Sequence, residues 1–264
     1  SSNQFTKTLK GVDRPMIILG SGALARKDGA VILGKTRQLA EFCGVVSDDW
    51  NGFNVLQRVA SRVGGLDLAF TPSKKSSLDT SGILEAAASG KLEIVYLLGA
   101  DEIDTNHLGN AFVIYQGHHG DAGAHRADAI LPGAAYTEKN ATYVNTEGRV
   151  QQTNLATFPV GEAKEDWTII RALSEAVGNT LPYDTLAQVR QRITEINPIF
   201  SKVDELTDVE WGTFGVEGSI NDEPFSRSIK NFYMTDPISR ASITMAECTA
   251  EAKGAGKKET GTHG

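Results

Sequence analysis

The segment ATYVNTEGRVQQT, residues 141–153, sets Asn145, Glu147, Arg149 and Gln151 at every second position between small or apolar neighbours. Such alternation predicts an extended hairpin with these polar side chains on one side. A guanidinium with neighbouring amides can hold a phosphate or a flat polar heterocycle through charge-assisted hydrogen bonds. The same groups can instead pair with one another and with backbone to lock a loop, and the residue types alone leave both readings open.

Three other clusters invite chemistry. Gly20-Ser21-Gly22-Ala23-Leu24-Ala25 fits a loose G-x-G-x-x-A after an expected strand, where backbone N–H groups could meet a diphosphate. The acidic ribose ligand expected about 20 residues on is missing, because Glu41 falls inside a helical stripe; the glycines then only let strand and helix pack closely. Gln116-Gly117-His118-His119-Gly120-Asp121, with His125 beyond, lies past a strand end, where open α/β sheets place ligands. Neighbouring residues of an extended segment point in opposite directions, so His118 and His119 are expected to bond to backbone in a turn rather than share a metal. Asp101, Glu102 and Asp104 read as caps and solvated turns. Neither a G-x-S-x-G elbow nor an H-E-x-x-H helix occurs. No catalytic or metal residue is assigned.

The elements that must position these residues are legible as periodicities. PMIILG at 15–20, EIVYLLG at 93–99, AFVIYQG at 111–117 and ADAILPG at 127–133 are apolar runs ending in glycine, as buried parallel strands do. Asp28 is placed to cap a helix carrying Ile32, Leu39, Phe42 and Cys43 on one face and ending at Gly44. Leu56, Val59, Ala60 and Val63 predict a second helix that stops at Gly64-Gly65; Ile83, Leu84, Ala87 and Ala88 predict a third between Asp79 and Gly90. Two more stripes, Trp167 to Val177 and Leu186 to Ile196, follow Pro159. The fold class is α/β: a mostly parallel Rossmann-like sheet covered by helices, followed by a hairpin and a helical C-terminal part.

Along the chain this gives an α/β core segment at 1–158, a helical continuation of the same domain at 159–200, an irregular acidic connection with a C-terminal docking segment at 201–248, and a flexible tail at 249–264. Residues 201–223 hold seven acids and one lysine. They read as solvated, and as able to meet a basic partner. A net charge of -7 argues against a non-specific hold on nucleic acid or anionic lipid. No run approaches the ~18 apolar residues of a membrane span, and the start SSNQFTKTLK lacks the apolar core of a signal peptide. The expectation is a chain outside the bilayer from which any organelle address has been removed. Two cysteines, Cys43 and Cys248, point to a reducing compartment and cannot supply the four thiolates of an iron-sulfur cluster.

LPGAAYTEKNATYVNTEGRVQQT resembles the signature of the molybdopterin-oxidoreductase superfamily. RPMIILGSGAL, DGAVIL, VYLLGADE, VIYQGHHGDAGA, EDWTIIRALSEAVGNTLPYDTLAQVR and FYMTDPISRAS narrow the likeness to the large iron-sulfur subunits of respiratory complex I, the NADH:ubiquinone oxidoreductase, in their mitochondrial type. The likeness covers nearly the whole chain, but only the C-terminal portion of that family. It implies a scaffold without a cofactor or cluster of its own, iron-sulfur clusters in the N-terminal portion of the subunit, and no turnover by this chain alone. The implied partners are peripheral-arm subunits and that N-terminal portion, on the matrix side of the mitochondrial inner membrane or the bacterial cytoplasmic membrane face. The alternative is a cofactor-bearing molybdopterin oxidoreductase fragment, in which Asn145, Arg149 and Gln151 would by position contact the pterin-nucleotide.

Overall fold

A computed structural model describes residues 4–72, 77–225, 227 and 229–255. They form two compact units: one from residues within 1–69, 142–151 and 193–228, the other from residues within 70–141, 152–192 and 229–264.

In the first unit β1 (Ile17–Gly20) leads through a short helix, Ser21–Leu24, to the helix Gly29–Cys43. That helix buries Ile32, Ala40 and Cys43 and ends on Gly44 at φ 66°, a left-handed position that costs glycine little. Strands β2 (Val46–Ser47) and β3 (Trp50–Asn51) form a small antiparallel ribbon, and β4 (Phe53–Leu56) runs parallel to β1 with Ile17 opposite Phe53 and Gly20 opposite Leu56. The expectation of a helix over Leu56 to Val63 is therefore wrong. Phe53 packs with Ile17 against Ala40, Cys43 and Val45, and that packing, with pairing to β1, outweighs the local spacing. The helix begins later, at Arg62–Asp67, and passes through both glycines.

The acidic segment is irregular, as expected, but not merely solvated. Trp211 and Phe214 stack edge-on at 4.9 Å, and Trp211 meets Phe53 at 5.2 Å. The carbonyl of Phe214 accepts from Arg37 Nε at 3.0 Å, and Val216 N donates to Ala30 O at 3.0 Å. A Cβ on Gly34 would come within 2.6 Å of Val216 O, so this close approach depends on that glycine.

In the second unit β5 (Ile94–Leu98), β6 (Phe112–Gly117) and β7 (Ala129–Pro132) make an all-parallel sheet in the order β5-β6-β7. Parallel pairing is thus present in two small sheets rather than one. Val95, Leu97, Val113 and Tyr115 face a core completed by Ala87 and Leu84 of the helix Thr80–Ala88, by Leu108 and by Ala124. Asp79 caps that helix as expected, accepting from Gly82 N at 2.8 Å. The opposite face is only partly covered among the described residues, with Gln116 fully buried on it. Ile94, Leu98 and Phe112 are each about half exposed or more.

Strands β8 (Ala141–Val144) and β9 (Val150–Thr153) form the expected hairpin, and the helices Asp166–Ala176 and Leu186–Ile196 follow. A last helix, Ile243–Ala255, takes in the first residues of the expected tail. Its Met, Ala, Glu and Lys content favours helix; residues 256–264 lie outside the described residues.

Candidate functional site

The hairpin turn places Asn145 and Arg149 together, and both are engaged within the chain. Asn145 Oδ1 accepts from the amides of Glu147 and Arg149, each at 3.0 Å, while its own amide donates to Arg149 O at 3.0 Å. Gly148 at φ 84° completes the reversal. The Arg149 guanidinium lies 3.6 Å from Glu147 Oε2 and donates to the carbonyl of Asp204 at 2.6 Å. Val144 and Val150 fix the stem by burying themselves against Phe200. Gln151 is exposed and does not converge on the other two.

A second polar cluster lies at the C-terminal ends of β5 and β6, in the second unit. Gln116 is fully buried; its carbonyl oxygen accepts from the Tyr96 hydroxyl and its Nε2 donates to Asp166 Oδ1 at 2.8 Å. Lys139 Nζ meets the other oxygen of Asp166 at 2.5 Å. One residue away, Glu165 accepts from Asn140 N at 3.0 Å and from Trp167 Nε1 at 2.7 Å. Burial raises the Glu165 pKa, but these donors and Lys139 outweigh it and hold the carboxyl below its ordinary range. Glu138 accepts from Ala135 N at 3.0 Å. Lys139 and Asn140 therefore anchor the start of the helix Asp166–Ala176.

Asp101 belongs to the same end of the sheet. It is buried, accepts from the Tyr115 hydroxyl at 2.7 Å and from Gly123 N at 2.9 Å, and is no solvated turn residue. Burial first, then this bond, pushes the Tyr115 phenol up. A Cβ on Gly123 would sit 2.7 Å from the Tyr115 ring. Asp104 does behave as a cap, accepting from Asn106 N at 3.1 Å.

His118 and His119 depart from expectation. The chain bends after Gly117, so the two rings turn toward each other with Nδ1 atoms 2.7 Å apart. They bond to each other and, among the described residues, not through their side chains to backbone. That spacing is a hydrogen bond in which one imidazole donates to the other. Part of the His118 ring is open to solvent, yet the protein around it lowers its pKa, first by desolvation, then through His119 and Lys139, against the opposing pull of Asp166 and Asp101. Asp121 is taken up by Arg240, and His125 is exposed. Among the described residues no group of three or more His, Cys, Asp or Glu is arranged to hold a metal ion. An open groove of about 460 Å³ runs past His118, Tyr136, Ile238 and Met245. Its Asp236 is committed to capping, accepting from Ile238 N and Ser239 N.

The residues after Gly20 form one short helical turn, Ser21–Leu24, in place of an open glycine loop, and Glu41 accepts from Arg37 and from Trp211 Nε1 at 3.0 Å. Asp28 takes the expected N-cap position of the helix Gly29–Cys43, but its side chain makes no capping bond. Its carboxylate receives Arg26 Nε at 2.8 Å and Asn221 N at 2.8 Å, and the Arg26 bond leads the causes that bring its pKa down to about 2. Only the short Arg26-x-Asp28 spacing hinted at this pair.

Among the known proteins similar to this chain are three NADH oxidoreductase subunits. The G subunit of the NADH-quinone oxidoreductase of Rickettsia felis is 44% identical over 253 residues, 96% of this chain and 36% of that protein. The mitochondrial NADH-ubiquinone oxidoreductase 78 kDa subunit of Neurospora crassa is 44% identical over 94% of this chain and 34% of its own length. The NADH-ubiquinone oxidoreductase 75 kDa subunit of Reclinomonas americana is 43% identical over 93% and 35%. The chain thus spans about a third of the length of these relatives. Residues 205–248 match the family model of the C-terminal region of the NADH-ubiquinone oxidoreductase G subunit. Residues 1–176, two thirds of the sequence, match the molybdopterin oxidoreductase model, and the chain belongs to that family.

Proposed function

We propose that this chain is a scaffold part of the large iron-sulfur subunit of an NADH:ubiquinone oxidoreductase, supporting electron transfer from NADH to quinone in the complex I peripheral arm. The identity of 43–44% to subunits of that enzyme, over more than nine-tenths of the chain, carries this reading. The cofactors implied by the relatives' chemistry do not fit these residues. A protein-bound cluster takes four thiolates; here Cys43 is buried beside Ala40 and Val45, and Cys248 stands alone on the last helix. A pterin-nucleotide grip needs donors turned outward at the hairpin, where the Asn145 Oδ1 accepts from two backbone amides and Arg149 donates to the carbonyl of Asp204 and pairs with Glu147. In this reading the chain supports electron transfer as a scaffold, and no step is assigned to its own residues.

Within this reading, residues 1–158 and 159–200 form the cofactor-free core, 201–248 docks on neighbours, and the partners are other peripheral-arm subunits with the N-terminal portion of the same subunit. Among the described residues no helix is long and apolar enough to cross a membrane. The place of work is the matrix side of the mitochondrial inner membrane, or the cytoplasmic membrane face of a bacterium. The test is purification of the whole tagged subunit from its source in mild detergent. The expected result is co-purification with NADH-oxidising activity and no pterin fluorescence from the oxidised extract. Stoichiometric pterin would overturn the proposal.

A further inference from the structure

The imidazoles of His118 and His119 form a pair to which the scaffold reading gives no task. Their Nδ1 atoms lie 2.7 Å apart, with the ring planes at 83°. A neutral imidazole carries one N–H and one lone pair, so one Nδ1 holds the shared proton and the other accepts it. Moving that proton to the outer Nε2 of its own ring leaves two lone pairs aimed at the space between the rings. The surroundings keep His118 in the form this requires: desolvation first, then His119 and Lys139, lower its pKa and favour the uncharged ring. The groove beside His118 adds a third donor. Met245, half-buried in the first turn of the helix Ile243–Ala255, lines it, and so does Asp236, whose anion is stabilised by the amide of Ser239 and by further donors. His118, His119, Asp236 and Met245 all belong to the second unit.

We propose that His118 Nδ1, His119 Nδ1 and the sulfur of Met245 form a binding site for monovalent copper. Imidazole suits several first-row metals, and a soft thioether beside it selects Cu(I) over Zn2+. Hard cations such as Mg2+ need a set of oxygen ligands, and the carboxylate in this groove, Asp236, is committed to the amides of Ile238 and Ser239. Its charge still favours a cation nearby. Around His118, Lys139 opposes added positive charge, while Asp166 and Asp101 favour it. Two metal–nitrogen bonds of ~2 Å at a tetrahedral angle set the nitrogens roughly 3.3 Å apart, so the rings part by about 0.6 Å to admit the ion. Open space around Gly120 leaves the turn room for that shift. The ion enters from solvent, since His118 is exposed.

The test is acylation of the whole protein, as purified from its source, by diethyl pyrocarbonate in an anaerobic Cu(I)–bicinchoninate buffer, read residue by residue by peptide mass spectrometry. Coordination through Nδ1 keeps the proton on Nε2, so neither nitrogen of a bound ring can be acylated. Copper should protect His118 and His119 together and leave the exposed His125 reactive. In Met245→Leu the free copper needed for protection should rise at least the roughly tenfold that loss of an outer-shell partner costs a metal site, while the response to Zn2+ stays as in the parent. In His118→Asn, an exchange at an exposed site that spares the fold, His119 should stay reactive in copper. Full reactivity of both histidines in copper overturns the proposal, as does equal protection of His125. Zinc protecting the parent at the same free concentration as copper, or a Met245→Leu protein that binds copper as the parent does, overturns it too.

Discussion

The turn at Asn145 and the strand ends around Gln116 use similar side chains at very different range. At the turn, Asn145 bonds to residues two and four positions away, and only Arg149 reaches far, to the carbonyl of Asp204. At the strand ends, Gln116 and Asp166 are 50 residues apart, Lys139 and Asp166 are 27 apart, and Asp101 reaches Gly123 across 22. The first device shapes a loop that already exists. The second joins elements that otherwise have no reason to meet, and it does so where water is largely excluded, so a lost partner is costly there.

The largest expected effect follows from that difference. Asp101→Ala leaves the buried Tyr115 hydroxyl and the Gly123 amide without their acceptor. Each orphaned group costs about 1–3 kcal/mol, so the sum is about 2–6 kcal/mol, read as a fall in melting temperature of the protein. Asp101→Asn keeps an acceptor oxygen and should recover part of the loss. Asn145→Ala, by contrast, frees two amides at a half-exposed turn that water can reach, and should cost about 1 kcal/mol. Equal losses from the two alanine variants would erase the distinction between the regions.

The same contrast of range explains what the sequence made legible. The glycine-terminated runs at 93–99, 111–117 and 127–133 announce their strands because burial on a parallel sheet is written in consecutive apolar residues. Asn-Thr-Glu-Gly announces its turn because an Asx residue and a glycine act locally. What failed depended on distant partners. β4 was hidden because its pairing with β1 lies more than thirty residues away, and the diversion of the Asp28 carboxylate from capping was hidden because Asn221 could not be seen beside it. The meeting of His118 and His119 needed the bend after Gly117, which alternation alone does not foresee. The docked Trp211 and Phe214 were masked by the acids around them.

The smallest effect expected is a pH dependence at the strand ends. Glu165 titrates below its ordinary value of 4.5 because, although burial raises its pKa, Asn140, Trp167 and Lys139 favour the carboxylate more strongly. A carboxyl depressed on folding contributes stability that is fully present above its unfolded pKa. That contribution fades as pH falls through the lower folded value, because protonation then weakens the bonds from Asn140 and Trp167. Glu165 is partly open to water, so solvent screening keeps the effect modest. The melting temperature of the parent protein should fall more steeply below about pH 5 than that of Glu165→Gln, which has no proton to gain at this position. Parallel slopes for the two proteins would show that the Glu165 carboxylate does not secure the helix Asp166–Ala176, and would place the long-range hold of this region on Gln116 and Lys139 alone.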